Sequence, residues 1–374
     1  ITEGIFNTNA SSNHALTVAG NTRIGPASGG ADQATLTCNA STVSLGSGLT
    51  SDFGLTVVKG GTFVGGTGTH TMGSVFIDAF ADAKCTLTSG VTTLDSEDSG
   101  GYTWRNNGGT FTHNNGTVTT NSSVDTKLRE NTFYNLIINQ SSSGKFVYWE
   151  DTSGNTCTVA NDLTITTGRL RGLVASDTVT VTGDVLVDAN GTFNHTSVWT
   201  GSINHGSLTI NSGGTYNATS GTTTITDETS GGYGLINSGT YTHNNGKLKI
   251  DFNTPNKDAH TIIQVNDLYD LEIDMNASNY EVKFDDTSGT ATNILNNLDI
   301  TQGVFESKDN GDTLTIHGLT KITSNGTFMP DANHDTNKII HNGLVTNEGT
   351  YKINDGTTVK MNGGIRNLGT ITVA

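Results

Sequence analysis

A repeat with a constant interval constrains the fold of this chain more than any other feature of its sequence. Four separate segments each recur further along the chain, and the offset in residue number is the same for all four. A constant offset over four segments indicates one duplicated unit, because chance composition would scatter the matches. The paired segments are 133–136 with 268–271, 151–154 with 286–289, 161–168 with 296–303, and 190–193 with 325–328.

Pieces of a third copy are also present. Ser99–Tyr102 returns as Ser230–Tyr233, and Thr112–Gly116 returns as Thr242–Gly246. These matches define a longer repeat of about 130–135 residues, within one continuous solenoid rather than separate globular domains. We predict a first, partial unit with an insertion at 1–98, a second unit at 99–229 and a third unit at 230–374.

A shorter period runs inside each unit and is marked by glycine followed by threonine and an aromatic residue. Gly191, Gly214 and Gly239 begin three such triplets in succession, and Gly326 and Gly349 begin two more with the same spacing. The resulting unit of about 23 residues is too short for a globular domain, but it suits one coil of a solenoid that buries its apolar face only by stacking.

Short segments between the triplets alternate in polarity. Leu208–Ile210, Leu248–Phe252 and Leu314–Ile316 place apolar residues two positions apart, on one face of a strand. The sequence therefore predicts an all-β fold, a β-solenoid or parallel β-helix with coils of about 23 residues. Threonine and asparagine at equivalent positions should form side-chain ladders. The Asn-Gly and Ser-Gly pairs should take positive φ at tight corners.

Two other β architectures fit the repeats less well. A β-sandwich array does not require a motif of this length with a fixed internal order, and propeller blades are usually about 40 residues long. The predicted solenoid also has a narrow interior, which requires few apolar residues in each coil.

Composition agrees with many short strands joined by turns. The 374 residues include 47 glycines but only 3 prolines, and only 14% are charged. Collagen requires glycine at every third position with abundant proline, and charge-rich disordered chains have a different composition, so both classes are excluded. No run of about 18 apolar residues occurs, which argues against insertion into a membrane.

The formal net charge of −16 disfavours nucleic acid as a partner, because phosphate backbones repel an acidic surface. No basic cluster is visible along the sequence. Cys38, Cys85 and Cys157 form neither a disulfide framework nor a CxxC metal motif, and we interpret them as small buried residues.

The histidines do not indicate a metal centre. His113 and His243 occupy the same place in a repeated Thr-His-Asn-Asn-Gly segment, and His205 and His341 lie near equivalent corners. Recurrence in register favours a structural role at a turn over a zinc site. Segment 331–337 has alternating oxygen donors but lacks the glycine and glutamate of an EF-hand loop. We therefore expect no catalytic residue, no metal and no cofactor.

Aromatic residues mark the candidate binding site, because planar rings can stack on sugars with little loss of entropy. Tyr148 and Trp149 lead into Glu150, whereas the next copy has Lys283 and Phe284 at the positions of the two rings. This difference between the copies is the best indication of a recognition patch, and core packing of one of the rings is the alternative interpretation. We predict a glycan-binding patch of Trp104, Tyr148, Trp149, Glu150, Asp151 and Trp199.

The repeats resemble those of a known group of proteins. The Asn-Gly-Thr-Phe corners, Thr132–Asn139, Asn161–Gly168 and Gly66–Thr71 are similar to segments of long repetitive β-solenoid proteins encoded by marine bacteriophages. They are nearly as similar to giant repetitive surface proteins of aquatic bacteria. The resemblance covers most of the chain and implies a virion fibre, spike or other appendage that is a rod first and a ligand binder second. No catalytic residues carry over.

The leading hypothesis is therefore a non-enzymatic structural protein, a bacteriophage fibre or spike that attaches to the host surface. Its expected location is extracellular, at the virion surface. One alternative is a bacterial adhesin or extracellular filament subunit at the cell surface. Another is a polysaccharide depolymerase, since β-helix enzymes of that kind place acids on neighbouring coils, and Asp151 and Asp286 would be its candidate acids.

Self-association is also expected. The chain starts and stops partway through a repeat, which leaves the edge of a coil able to pair with another strand. Head-to-tail stacking and a parallel homotrimer both fit this expectation. A host-surface glycan is the other expected partner, whereas nucleic acid and membrane insertion are not expected.

Overall fold

A computed structural model shows that the chain is built from short β-strands. No helix occurs among the residues that it describes. The predicted all-β class is therefore confirmed. The described residues are 1–8, 11–26, 33–48, 54–130, 132–150, 156–172, 176–193, 200–252, 260–265, 267–284, 292–307, 313–330 and 338–373.

The chain forms two compact units, which we describe separately. The first unit comprises Ile1–Thr182 and Leu186–Asn194. Its strands are β1 (Gly4–Asn7), β2 (Leu16–Val18), β3 (Thr22–Ile24), β4 (Ala34–Thr37), β5 (Val43–Leu45), β6 (Leu55–Val57), β7 (Gly61–Val64), β8 (His70–Met72), β9 (Val75–Ile77), β10 (Lys84–Thr86), β11 (Val91–Leu94), β12 (Tyr102–Asn106), β13 (Thr110–Thr112), β14 (Thr117–Thr120), β15 (Thr126–Arg129), β16 (Thr132–Phe133), β17 (Asn135–Asn139), β18 (Phe146–Glu150), β19 (Thr156–Val159), β20 (Leu163–Gly172), β21 (Thr178–Val181) and all but the first residue of β22 (Val185–Phe193).

The second unit comprises Gly183–Val185 and His195–Ala374. It consists of strands of the same short length. They are β23 (Ile203–His205), β24 (Leu208–Ile210), β25 (Thr215–Asn217), β26 (Thr222–Ile225), β27 (Tyr233–Asn237), β28 (Thr240–Thr242), β29 (Lys247–Ile250), β30 (His260–Ile263), β31 (Asp267–Leu268), β32 (Asp270–Asp274), β33 (Glu281–Phe284), β34 (Thr292–Ile294), β35 (Leu298–Ser307), β36 (Thr313–Ile316), β37 (Thr320–Pro330), β38 (Lys338–His341), β39 (Val345–Asn347), β40 (Thr350–Ile353), β41 (Thr358–Met361), β42 (Ile365–Asn367) and β43 (Thr370–Val373).

Strands pair in parallel with strands about one coil further along the chain. In the first unit, Val118 of β14 is in register with Leu136 of β17. In the second unit, Leu248 of β29 lies between Thr223 of β26 and Leu271 of β32. Each coil thus returns the chain to the same column. The predicted parallel β-solenoid with a spacing of about 23 residues is confirmed.

Along most strands, alternate side chains are buried in a narrow core. On β18, Val147 and Trp149 are buried, whereas Phe146, Tyr148 and Glu150 are half-buried on the outer face. Complete burial of one large apolar side chain stabilises the folded state by about 1.5–3 kcal/mol. Because a strand contributes at most four such side chains, the core forms from a sequence that is only 33% hydrophobic.

Aromatic rings stack between coils in both cores. The ring centroids of Phe133 and Trp149 are 5.9 Å apart in the first unit. In the second unit, the rings of Phe328 and Tyr351 are stacked at 4.8 Å. Such pairs contribute about 0.5–1.5 kcal/mol beyond the burial of their area. They therefore hold successive coils in register as well as filling the core.

Asparagine ladders link successive coils at the surface. Asn161 Nδ2 donates to Asn135 Oδ1 at 2.8 Å in the first unit. Asn296 Nδ2 donates to Asp270 Oδ1 at 2.9 Å in the second. The two pairs occupy equivalent positions in the long repeat, so the duplicated sequence builds the same contact twice. The predicted asparagine contact is confirmed in the first unit, and in the second unit an aspartate replaces one of the two asparagines.

Close approach between coils explains the glycine of two Gly-Thr-Phe triplets. A Cβ atom at Gly191 would collide with the carbonyl oxygen of Ile165, and one at Gly326 would collide with that of Ile300. Neither glycine has a positive φ. The expectation of positive φ at these two Asn-Gly pairs is therefore wrong. Glycine is required here because the backbone of the preceding coil occupies the place of a side chain.

Positive φ is confirmed at two Ser-Gly pairs, where Gly48 and Gly213 have φ angles of 75° and 88°, and it also occurs in the repeated Thr-His-Asn-Asn-Gly corners. Asn114 and Asn115 have φ angles of 52° and 55°, and the equivalent pair in the second unit has angles of 48° and 59°. Asparagine tolerates this region better than most residues. The Asn115 N–H donates to His113 Nδ1 at 3.1 Å, and the same bond recurs at His243 at 2.9 Å. The structural role predicted for these two histidines is confirmed.

The three cysteines lie in the core, and none of them forms a disulfide. Cys38 is 0% exposed, and burial raises the pKa of its thiol to about 12. Cys85 and Cys157 are also buried. The interpretation of all three as small buried residues is confirmed.

Candidate functional site: a cation–aromatic face on the first unit

Two of the six residues predicted to bind a glycan lie in the core. Trp104 is 0% exposed and Trp149 is 1% exposed. The indole Nε1 of Trp149 donates to the carbonyl oxygen of Glu130 at 2.7 Å, as a buried indole requires. The expectation that these rings form part of an exposed patch is therefore wrong. Strand alternation turns Trp149 inward, whereas Trp104 is turned inward by a β-bulge that breaks the alternation between Tyr102 and Trp104.

Tyr148 and Glu150 are the predicted site residues that the structure places at the surface. They lie two positions apart on β18, so they share its outer face. Asp151 and Trp199 lie outside the described residues. The role of Tyr148 and Glu150 in glycan binding stays a prediction.

Stacking brings cationic side chains from neighbouring coils to both sides of Tyr148. Its register partners are Lys127 on β15 and Arg171 on β20. Phe146 pairs in the same way with Arg169 of β20. We define the cation–aromatic face as these outward residues of β12, β15, β18 and β20: Tyr102, Arg105, Lys127, Arg129, Phe146, Tyr148, Glu150, Arg169 and Arg171.

Cationic groups lie over the aromatic rings of this face. The guanidinium carbon of Arg169 is 5.2 Å from the centroid of the Phe146 ring, and Lys127 Nζ is 4.9 Å from the centroid of Tyr102. The Phe146 ring is itself stacked on Tyr148, with centroids 5.5 Å apart. Each exposed cation–π contact contributes about 0.5–1 kcal/mol. These contacts restrain the long cationic side chains.

Carboxylates neutralise one part of the face. Glu150 accepts a hydrogen bond from the Tyr102 hydroxyl at 2.8 Å and lies 3.7 Å from Arg129 Nε. Burial, together with the hydrogen bond to Glu150 and its charge, raises the pKa of Tyr102. Arg105 lies 3.7 Å from the carboxylate of Asp98. These two arginines therefore have acidic partners.

The rest of the face is not neutralised. Among the described residues, Lys127, Arg169 and Arg171 have no carboxylate within ion-pair distance. Four of the six arginines of the chain lie on this face, although the net charge is −16. The expectation that the chain has no basic cluster is wrong, because the stacking of coils brings together cationic side chains that are distant in sequence.

The matching face of the second unit has different chemistry. Glu281 and Lys283 stand at the positions of Phe146 and Tyr148 in the next copy of the long repeat. Lys283 Nζ lies 3.5 Å from Glu281 and 3.4 Å from Glu306. Although burial alone would lower it, the pKa of Lys283 is raised because these two carboxylates flank the ammonium group. Its charge is therefore neutralised within the fold, and among the described residues the matching positions of the second unit do not form a cation–aromatic face.

His205 and His341 of the second unit are structural residues, but they lie in strands and not at turns. Both are buried, at 1% and 0% exposure. His341 Nε2 is 2.9 Å from the Tyr351 hydroxyl, and His205 Nε2 is 3.2 Å from that of Tyr216. Burial lowers the pKa of each imidazole to about 4. These histidines are neutral parts of the core near pH 7.

Metal and catalytic candidates are few in the part of the chain that the structure describes. It contains no group of three or more His, Cys, Asp or Glu side chains arranged to hold a metal ion. Segment 331–337 and the carboxylates Asp151 and Asp286 lie outside the described residues, so the interpretations given to them stay predictions. The described segments also contain no helix long and apolar enough to cross a bilayer.

Comparisons of the chain with protein-family models, with curated proteins and with solved structures found no match.

Proposed function

We propose that the chain is a non-enzymatic structural β-solenoid, a bacteriophage fibre or spike at the virion surface, that attaches to host-surface glycans through the cation–aromatic face. The observation that carries this proposal is the set of unneutralised cations at Lys127, Arg169 and Arg171, held on a regular sheet beside aromatic rings. Sheet positions fix the spacing of these groups, which favours recognition of a repetitive polymer.

The contacts of Glu150 favour binding over cleavage. Its carboxylate is engaged by the Tyr102 hydroxyl and by Arg129. A glycosidase requires two carboxyl groups free to act on opposite sides of one bond. Glu150 is therefore better explained as the partner that orders one side of the face than as a catalytic acid of a depolymerase.

Binding of the purified chain to a panel of immobilised bacterial surface polysaccharides tests the proposal. We expect binding without release of oligosaccharides into solution. The double variant Arg169→Gln/Arg171→Gln should bind less, whereas Lys338→Gln/Lys360→Gln, with the same change in charge at exposed sites of the second unit, should bind normally. Release of oligosaccharides would favour the depolymerase, and a folded chain that bound no polysaccharide would refute the proposal.

The fibre and adhesin hypotheses differ in where the chain is found. Mass spectrometry of purified virions should detect the chain if it belongs to a fibre or spike. Detection only in bacterial envelope fractions would instead favour the adhesin.

A further inference from the structure

We propose that the ligand of the cation–aromatic face is a linear anionic polysaccharide, carrying carboxylate or sulfate groups, that lies along the direction in which the coils of the first unit stack. This inference rests on the proposed attachment function and specifies its ligand. Carboxylates and sulfates share the chemistry that matters here, since both accept charge-assisted hydrogen bonds from guanidinium and ammonium groups.

The charge balance of the face selects for an anion. The face carries five cationic side chains, and two carboxylates neutralise part of their charge, Glu150 on the face and Asp98 beside Arg105. A neutral glycan that covered Lys127, Arg169 and Arg171 would remove their water without supplying a counter-charge, which is unfavourable. An anionic group supplies that counter-charge and accepts the hydrogen bonds.

The aromatic rings favour the same ligand. Phe146 and Tyr102 each have a cation over the ring, at 5.2 Å and 4.9 Å from the ring centroid. Ring surface occupied in this way serves to hold a cation and is not open for stacking on a sugar. The rings thus pre-order the cations, and the cations provide the contacts to the ligand.

The spacing of the strands favours an extended polymer. Successive strands of a sheet lie about 4.8 Å apart, so β12, β15, β18 and β20 together span about 14 Å. Arg105, Lys127 and Arg171 occupy three of these four rungs. A sugar in an extended chain advances by a distance comparable with one rung, so a polysaccharide running along the stack can place successive anionic groups beside successive cations.

The second unit acts as an internal contrast. Glu281 and Glu306 flank Lys283 at the matching positions, so that face would repel a polyanion. The net charge of −16 opposes any polyanion at long range, and duplex nucleic acid most strongly because its charge density is high, so binding depends on the local cations of the first unit. We therefore expect an anionic polysaccharide to bind on the first unit.

Titration calorimetry of the whole chain with three probes tests this inference. The probes are oligogalacturonate for carboxylate, dextran sulfate for sulfate and dextran as the neutral control. We expect at least one anionic probe to bind at least tenfold more tightly than dextran, and to weaken as salt rises from about 50 to 500 mM. The anion that binds more tightly identifies the group recognised.

Two variants locate the binding. Arg169→Gln/Arg171→Gln should weaken the anionic probe by about tenfold, since two charged contacts are lost. Lys338→Gln/Lys360→Gln carries the same change in charge and should bind as the unaltered chain does. Circular dichroism confirms that both variants are folded. Equal weakening in both variants would show that only net charge matters and would overturn the assignment of the face.

Oligomer length tests the orientation. Affinity should rise with the number of sugars until the oligomer spans the four strands, and then rise little more per sugar. Affinity that does not depend on length would overturn the orientation along the stack.

The remaining outcomes distinguish failure of the anionic ligand from failure of the proposed attachment function. Binding of dextran as tightly as the anionic probes, without salt dependence, would leave attachment standing and overturn the anionic ligand. If the chain bound neither these probes nor any polysaccharide of the panel, the anionic ligand and the attachment function would both be overturned. Equally tight binding of duplex DNA would replace the ligand by a polyphosphate. Self-association lost only in Arg169→Gln/Arg171→Gln would show that a second copy occupies the face.

Discussion

Acid should destabilise the second unit through His341. Burial lowers the pKa of this imidazole from 6.5 to about 4. In the unfolded chain the same group takes up a proton as the pH falls through 6.5, so between pH 6.5 and 4 the unfolded state binds more protons than the folded state. The stabilising contribution is therefore complete above pH 6.5 and is lost as the pH falls towards 4.

The two pKa values set the size of the effect. The difference between 6.5 and about 4 corresponds to about 3 kcal/mol for this one histidine. Linkage places about 2 kcal/mol of that loss between pH 7 and pH 5. This window avoids stronger acid, in which the many carboxylates of the chain also titrate.

Urea unfolding at pH 7, 6 and 5, followed by circular dichroism, measures the effect. The control is His341→Gln, which removes the titrating group while His205 titrates equally in both proteins. The variant should be less stable at pH 7, because it loses the contact to Tyr351. Its deficit relative to the unaltered chain should shrink by about 2 kcal/mol at pH 5. A deficit that stays constant between pH 7 and 5 would refute this reasoning.

The contacts between coils and in the core predict three more outcomes. Gly191→Ala forces a Cβ atom against the backbone of the preceding coil and should cost about 3 kcal/mol, a fall of roughly 6–12 °C in Tm, whereas Gly144→Ala has open space and should melt within about 2 °C of the unaltered chain. Equal melting temperatures for the two variants would contradict the stacking. Trp149→Phe leaves a buried carbonyl without its indole donor and should lower the free energy of unfolding by about 1–3 kcal/mol in urea; an unchanged value would show that this bond is not needed. Cys38, whose thiol pKa burial raises to about 12, should resist iodoacetamide at pH 8 until the chain is unfolded, and rapid labelling of the folded chain would contradict its burial.

The solenoid was predictable because residues that contact each other between coils recur in the sequence at intervals of about one coil. Asn135 and Asn161 lie about one coil apart and recur in the next copy of the long repeat as Asp270 and Asn296, and the structure joins each pair by a hydrogen bond. The glycine of the Gly-Thr-Phe triplets was located correctly but explained wrongly. Glycine is required there because a carbonyl oxygen of the preceding coil lies where a Cβ atom would be. Sequence rules for turns do not include contacts with another coil.

The candidate site was only partly predictable, because strand β18 carries no readable alternation. Phe146, Val147, Tyr148 and Trp149 are all apolar or aromatic, so hydropathy does not show which two point inward. The structure buries Val147 and Trp149 because the neighbouring coils place core residues opposite them. Trp149, which we predicted to stack on a glycan, is therefore a core residue.

The cations were missed for a related reason. Arg171 follows Tyr148 by one full coil, so the repeat period could have predicted that these two residues are neighbours. Lys127, however, precedes Tyr148 by a shorter interval than the one that separates Tyr148 from Arg171, and coils of unequal length hide the register of individual side chains. A one-dimensional search for basic clusters does not detect residues that meet only across a coil.

The cation–aromatic face exists only if the coils of the first unit stack in the register described above. Oxidation of paired cysteine substitutions, followed by peptide mapping, tests that register directly. Tyr148→Cys with Arg171→Cys places two thiols on register partners, within reach of a disulfide, whereas Phe146→Cys with Arg171→Cys places them two positions out of register, about 8 Å apart. We predict a cross-link between positions 148 and 171 and none between 146 and 171. Equal cross-linking of both pairs, or the reverse preference, would contradict the stacking that builds the face.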